Sequence, residues 1–250
     1  MGPDTLPFRL PSAGCRLPVL VPVSPAWLAH CYTALGAVLA LFATQAVFTA
    51  DFRGAFLALA AAICVDATDG WLARAMRVKE VLPGYDGGRL DDIVDYLTYV
   101  FVPVLLLWAA RLLPPGWEME VGSVVLLASA YGFGQADAKV VTTDHFFTGF
   151  PSYWNIVALY LYVWRLPPAV NAALLLVLAA LVFVPIRFVY PSRTVQMRGL
   201  TLVLGALWSA QVVVMIWRLP ATDGPWTAIS LVFPVYYTVL SLWLHARSPR

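Results

Sequence analysis

Apolar residues fall in long runs along this chain, and polar residues are confined to the short stretches between them. Eight runs can be drawn: Pro25–Ala50, Gly54–Arg77, Leu90–Leu113, Trp117–Lys139, Phe150–Leu166, Pro168–Tyr190, Met197–Trp217 and Pro225–Ala246. Each approaches the roughly 20 residues that an α-helix needs to cross a bilayer. The pattern predicts an all-α polytopic membrane bundle of about eight transmembrane helices. The fifth run is short, and Phe146 is an alternative start for it. Residues 1–24 are Pro-rich, and their apolar stretch LPVLVPV is too short and too broken by proline for a signal-peptide core. They are read as a cytosolic arm, and 25–250 as one transmembrane domain. No internal repeat is evident.

Composition agrees with the pattern. Of 250 residues, 61% are hydrophobic and 12% charged, where a soluble domain carries about 25% charged residues. Mean hydropathy is +0.77. Ten tryptophans and eleven tyrosines suit interfacial belts. The net charge of +2 is small and no dense basic run occurs, so nucleic-acid binding has no support. Cys15, Cys31 and Cys64 are too few and scattered for a disulfide framework or a zinc site. His30, His145 and His245 stand apart from one another, His145 being the nearest to the polar stretch described next.

Orientation follows from the basic residues. With both termini cytosolic, Arg9, Arg16, Arg74, Arg77, Lys79, Arg89, Lys139, Arg187, Arg193, Arg198, Arg247 and Arg250 share the cytosolic side, against Arg53, Arg111, Arg165 and Arg218 opposite. The positive-inside rule favours that arrangement. It places the protein in a membrane, expected to be the bacterial inner membrane, with both termini cytosolic.

One stretch breaks the apolar pattern. From Val65 the chain reads VDATDGWLARAMRVKEVLPGYDGGRLDDIVDYLTYV. Asp66, Asp69, Gly70, Ala73 and Arg74 fall at i, i+3, i+4, i+7 and i+8, so one helix face carries them all. Asp91 and Asp95 are i and i+4 on the next helix. Charged residues inside a membrane are costly and usually functional. Four carboxylates facing one another need a counter-charge, and hard oxygen ligands favour Mg²⁺ or Mn²⁺. Ion pairing with Arg74 and Arg89 is the plainer alternative, but it leaves excess negative charge. Gly70 and Ala73 leave room for a ligand, and Arg74 offers a fork suited to phosphate. The second run is rich in small residues, Gly54, Ala55, Ala58, Ala61 and Ala62 among them, which suits a helix at the bundle centre. Asp92, one residue off the Asp91–Asp95 face, reads as solvated or as a support behind the other acids, and Lys79, Glu80 and Asp86 in the loop read as solvated.

These residues resemble the signature of the CDP-alcohol phosphotransferase family, D-x-x-D-G-x-x-A-R followed by G-x-x-x-D-x-x-x-D. Asp66, Asp69, Gly70, Ala73, Arg74, Gly87, Asp91 and Asp95 meet it. The spacer from Arg74 to Gly87 is longer than in most of the family. That spacer, LDDIVDYLTYV and TDHFFTGFPSYWNIVALYL from Thr143 look like the bacterial branch that uses choline. The resemblance implies a cytosol-facing cavity, CDP-diacylglycerol as phosphatidyl donor, choline as acceptor, two Mg²⁺ or Mn²⁺ ions and a homodimer. It implies Asp66, Asp69, Asp91 and Asp95 as metal ligands, with Asp95 also the general base. Gly70, Ala73, Arg74 and Gly87 would take the nucleotide and its phosphates.

Choline needs aromatic faces, because its nitrogen has no hydrogen to donate. Tyr99, Tyr153 and Trp154 are the candidates, although each also fits an interfacial belt. Lys139, Arg187 and Arg193 are candidates for phosphate or lipid headgroups, or plain membrane anchors. Other readings stay open: another alcohol such as serine, ethanolamine or glycerol phosphate, an intramembrane prenyltransferase, or an ion-coupled transporter. The second Asp-rich motif of the prenyltransferases is not seen late in the chain, and a transporter's acids would lie deeper and on more helices.

Overall fold

The computed structural model describes residues 24–135, 146–189, 197–221 and 224–247. Helix α1 (Ala26–Phe48) and helix α2 (Phe52–Ala75) form a hairpin. Asp51 caps α2, its carboxylate accepting the Gly54 N–H at 3.0 Å. A Cβ at position 54 would run into that carboxylate, so a glycine at the third helical position lets the cap close. Arg53 then donates to the carbonyl of Leu219, tying the start of α2 to a distant part of the chain.

A short helix α3 (Val78–Val81) leads to α4 (Gly87–Asp95), which passes through a π-helical turn (Tyr96–Phe101) into α5 (Val102–Ala109). Together Gly87–Ala109 is one span. Helix α6 (Glu118–Gly134), α7 (Trp154–Trp164), α8 (Pro168–Val182), α9 (Arg198–Trp217), α10 (Gly224–Ser230) and α11 (Val232–Arg247) complete the bundle. Every predicted run therefore contains a helix. Ala26–Phe48, Phe52–Ala75, Gly87–Ala109, Arg198–Trp217 and Gly224–Arg247 are long and apolar enough to cross a membrane; Trp154–Trp164 and Pro168–Val182 are shorter apolar helices. The chain is an integral membrane protein built as a helical bundle.

The structure departs from the pattern at the sixth run, which was expected to continue to Tyr190. Helix α8 stops at Val182, and strand β2 (Arg187–Val189) pairs antiparallel with strand β1 (Phe146–Thr148). The approach is close. The Gly149 N–H donates to Ile186 O at 2.9 Å and the Phe150 N–H to Leu181 O at 3.0 Å. Gly149 has φ +83°, and a Cβ there would strike the Val182 carbonyl. Only glycine suits both demands.

The core is apolar and close-packed around α5 and α7, with Val100, Leu106, Leu107, Leu159 and Leu175 fully buried. Outward-facing Leu35, Leu41 and Phe42 on α1 remain exposed, as lipid-facing residues should. The inner face of α1 is made of small side chains, Ala29, Thr33, Gly36, Ala40 and Ala43. This lets α1 lie against both α2 and α4. A Cβ on Gly36 would collide with the side chain of Val94, so that glycine sets how near α4 comes.

Candidate active site

That close approach brings α1, α2 and α4 together around one partly open cleft. Thr33, Asp66, Asp69, Asp91, Asp95 and Thr98 line it. Helical spacing turns two acids of each helix inward: Asp66 and Asp69 from α2, Asp91 and Asp95 from α4. Carboxylate oxygens of Asp66, Asp91 and Asp95 lie within 4.8 Å of one another. Octahedral Mg²⁺ binds oxygen at about 2.1 Å, so its ligands sit about 3 to 4 Å apart. The three carboxylates fit such an ion after a small inward adjustment.

Asp69 lines the same cleft but lies outside that close set. It is buried, and its Oδ2 accepts a hydrogen bond from Thr33 Oγ1 on α1 at 2.7 Å. Asp66 has a comparable neighbour: the buried Tyr99 hydroxyl, carried on the π-helical turn, donates to its Oδ2 at 2.7 Å. Two helices flanking α2 thus supply one hydroxyl to each of its acids. Thr33 lay outside the sequence reading, since nothing local to α1 marks a threonine as a carboxylate partner.

The basic residues divide by task. Arg89 pairs with Asp86 at 3.1 Å, and Arg77 with Glu80 at 2.6 Å, both on the exposed rim. Asp86 also caps α4, accepting the N–H groups of Gly88 and Arg89 at 3.1 and 3.2 Å. It is solvated, as the sequence suggests, and caps the helix as well. Arg74 makes no ion pair among the described residues. Its Nη1 would lie 3.3 Å from a Cβ on Gly70, so the guanidinium covers the bare backbone of the glycine one turn earlier on the same face. Ala73 is half-buried beside them. At Gly87 a Cβ would come within 2.7 Å of His30 Cε1 on α1.

The three aromatic candidates separate. Tyr99 and Tyr153 meet, with ring centroids 6.1 Å apart. Tyr153 is further hydrogen-bonded to Tyr237 on α11, whose ring stacks at 6.2 Å on Phe188 of β2. Neither Tyr237 nor Phe188 could be reached from local sequence signals, since they join the group only through the tertiary fold. Trp154 faces elsewhere. It is 0% exposed, and its Nε1 donates to Ser129 Oγ on α6 at 2.7 Å. Its indole ties α7 to α6.

Lys139 and Arg193, offered as headgroup contacts, lie outside the described residues, as do His145 and Cys15. The backbone of Arg187 lies in β2, opposite Thr148. Cys31 and Cys64 are exposed free thiols.

No protein-family model matches the chain. Individual proteins do. A phosphatidylcholine synthase of Legionella pneumophila is 37% identical over 225 residues, covering 87% of this chain and 88% of that protein. One from Pseudomonas aeruginosa is 38% identical over 240 residues, covering 92% and 98%. A third, from Borreliella burgdorferi, is 30% identical over 221 residues, covering 88% and 94%.

Proposed function

We propose, from the premise that this chain belongs to the phosphatidylcholine synthase family, that it transfers the phosphatidyl group of CDP-diacylglycerol to choline, giving phosphatidylcholine and CMP. The observation that carries the chemistry is the convergence of Asp66, Asp91 and Asp95 at one partly open cleft.

The reaction joins the choline oxygen to the phosphorus that bears diacylglycerol. The bond from that phosphorus to the bridging oxygen breaks, and CMP leaves. Asp66, Asp91 and Asp95 would hold one Mg²⁺ or Mn²⁺, and Asp69, in the same cleft, would complete the site for a second. Such ions, when bound, neutralise charge on the diphosphate and orient the in-line displacement. Asp95 would receive the choline hydroxyl proton, since the attacking alcohol must reach the same cleft. Arg74, lying over Gly70 at the exposed end of α2, would grip a phosphate of the nucleotide. Gly70 and Ala73 would let the cytidine lie near the helix backbone. Gly87 would act indirectly, by letting His30 fit under the start of α4. The trimethylammonium group is assigned to the faces of Tyr99 and Tyr153; a desolvated cation–π contact is worth about 2 kcal/mol. Both termini and the cleft face the cytosol in this reading, where soluble choline and CMP are found. The acyl chains stay in the bilayer, and the active unit is a homodimer, as the family resemblance implies.

The test is CMP release by purified protein given CDP-diacylglycerol, Mg²⁺ or Mn²⁺ and one alcohol at a time. Choline should give much the fastest release, ethanolamine and serine little, and folded Asp91→Asn protein none. Faster release with serine or ethanolamine would overturn the choline assignment while leaving the phosphatidyl transfer intact.

A further inference from the structure

The hydroxyl of Tyr99 is a group that the reaction as drawn does not use. We propose that Tyr99 is a positioning residue for Asp66: its hydroxyl holds that carboxylate in the orientation a divalent cation shared with Asp91 and Asp95 requires. The inference rests on the metal-site reading above and adds a residue that acts through a ligand.

The geometry is that of a charge-assisted hydrogen bond. The separation from Tyr99 Oη to Asp66 Oδ2 is 2.7 Å, within the range of about 2.5–2.7 Å for O–H···O⁻ bonds. An ionised carboxylate only accepts and a phenol has a single proton, so the direction is fixed and that proton is committed. Tyr99 is only 9% exposed, so water competes poorly for it. The terminal torsion of an aspartate is otherwise broad. A donor anchored at Oδ2 narrows that freedom for an acid that already brings an oxygen within 4.8 Å of those of Asp91 and Asp95.

The support behind Tyr99 is itself fixed. The π-helical turn that carries it is pinned on another side by Tyr96, whose hydroxyl donates to Leu126 O of α6 at 2.9 Å. Within it, Thr98 Oγ1 returns to Val94 O at 3.0 Å. Drift of the turn would break its bonds to α6 and α2. Single π-helical turns inside α-helices occur often at functional sites. Here the turn delivers a tyrosine from the helix of Asp91 and Asp95 to the acid of the facing helix. Partners that orient a metal ligand contribute about 10- to 100-fold in metal affinity.

A ring that only shelters choline makes the opposite prediction, which gives a clean experiment. Tyr99→Phe keeps the aromatic face and removes the hydroxyl; Tyr99→Leu removes both. Mn²⁺ binding to detergent-solubilised protein, read by the electron paramagnetic resonance of free Mn²⁺, is measured on the monodisperse fraction of each. Tyr99→Phe should bind Mn²⁺ about tenfold or more weakly, and Tyr99→Leu, which loses the ring as well, should bind Mn²⁺ as weakly and also raise the KM for choline. In an Asp66→Asn background Tyr99→Phe should have no further effect. Mn²⁺ affinity equal to wild type in Tyr99→Phe overturns the inference while leaving the metal site standing. Wild-type protein that binds no Mn²⁺ overturns both, and a choline KM raised in Tyr99→Phe with Mn²⁺ affinity unchanged assigns the hydroxyl to the substrate instead.

Discussion

A methyl group added at Gly87 would sit 2.7 Å from His30 Cε1 and 3.1 Å from Nδ1. The imidazole cannot retreat easily, because it packs against Trp27 and Tyr85 with centroids 5.6 and 4.5 Å away. Overfilling of this kind costs about 1–3 kcal/mol. Gly87→Ala should therefore lower Tm and slow CMP release, and His30→Ala in the same chain should restore much of both, a coupling that a double-mutant cycle measures. If the double variant is simply the sum of the single ones, the His30 contact is not what Gly87 serves. At this scale the acidic face was legible from the sequence, because Asp66 and Asp69, and Asp91 and Asp95, are spaced by one helical turn. Which acids approach one another was not legible. The close set of Asp66, Asp91 and Asp95, with Asp69 set apart under Thr33, depends on how α1 and α4 lie against α2. Periodicity along one helix carries no information about that.

Single elements show the same division. The helices were readable as apolar runs, and each run holds one, although five of the described helices are long and apolar enough to cross a membrane where about eight were expected. Pairing of β1 with β2 was not readable, since three-residue strands embedded beside an apolar helix leave no period to detect. Trp154 illustrates the ambiguity of an aromatic residue at a helix start, which can face a ligand, lipid or another helix. Its buried bond to Ser129, which also accepts from Ser152 Oγ at 3.3 Å, makes it a clamp between α6 and α7. Trp154→Phe leaves Ser129 with Ser152 as a donor but without the indole, a loss of about 0.5–1.5 kcal/mol. A fall in Tm with an unchanged KM for choline is the expected result; a raised choline KM at unaltered Tm would return the residue to the substrate.

For the whole molecule the positive-inside rule sets which way it is expected to sit in the bilayer. Gly84 is a suitable probe, since nothing lies within 4 Å of a Cβ there and the residue is exposed. With Cys15, Cys31 and Cys64 replaced by serine, Gly84→Cys should react with a membrane-impermeant thiol reagent only from the cytosolic side. Labelling from the opposite face would invert the topology and deny cytosolic choline its route. The π-helical turn at Tyr96–Phe101 has a bearing on how such a chain can change length. A π turn is an α-helix holding one residue more than its pitch requires. Taking a residue out of it lets the helix close to ordinary geometry while the flanking halves keep their bearings. Taking one out elsewhere in Gly87–Ala109 swings all that follows by about 100°, one residue's share of a turn of 3.6. The span thus has a single place where an indel can be absorbed, and it is the place that carries Tyr99. Shortening there would spare the bundle and disturb the site; the same loss in α5 would spoil the packing of Leu106 and Leu107.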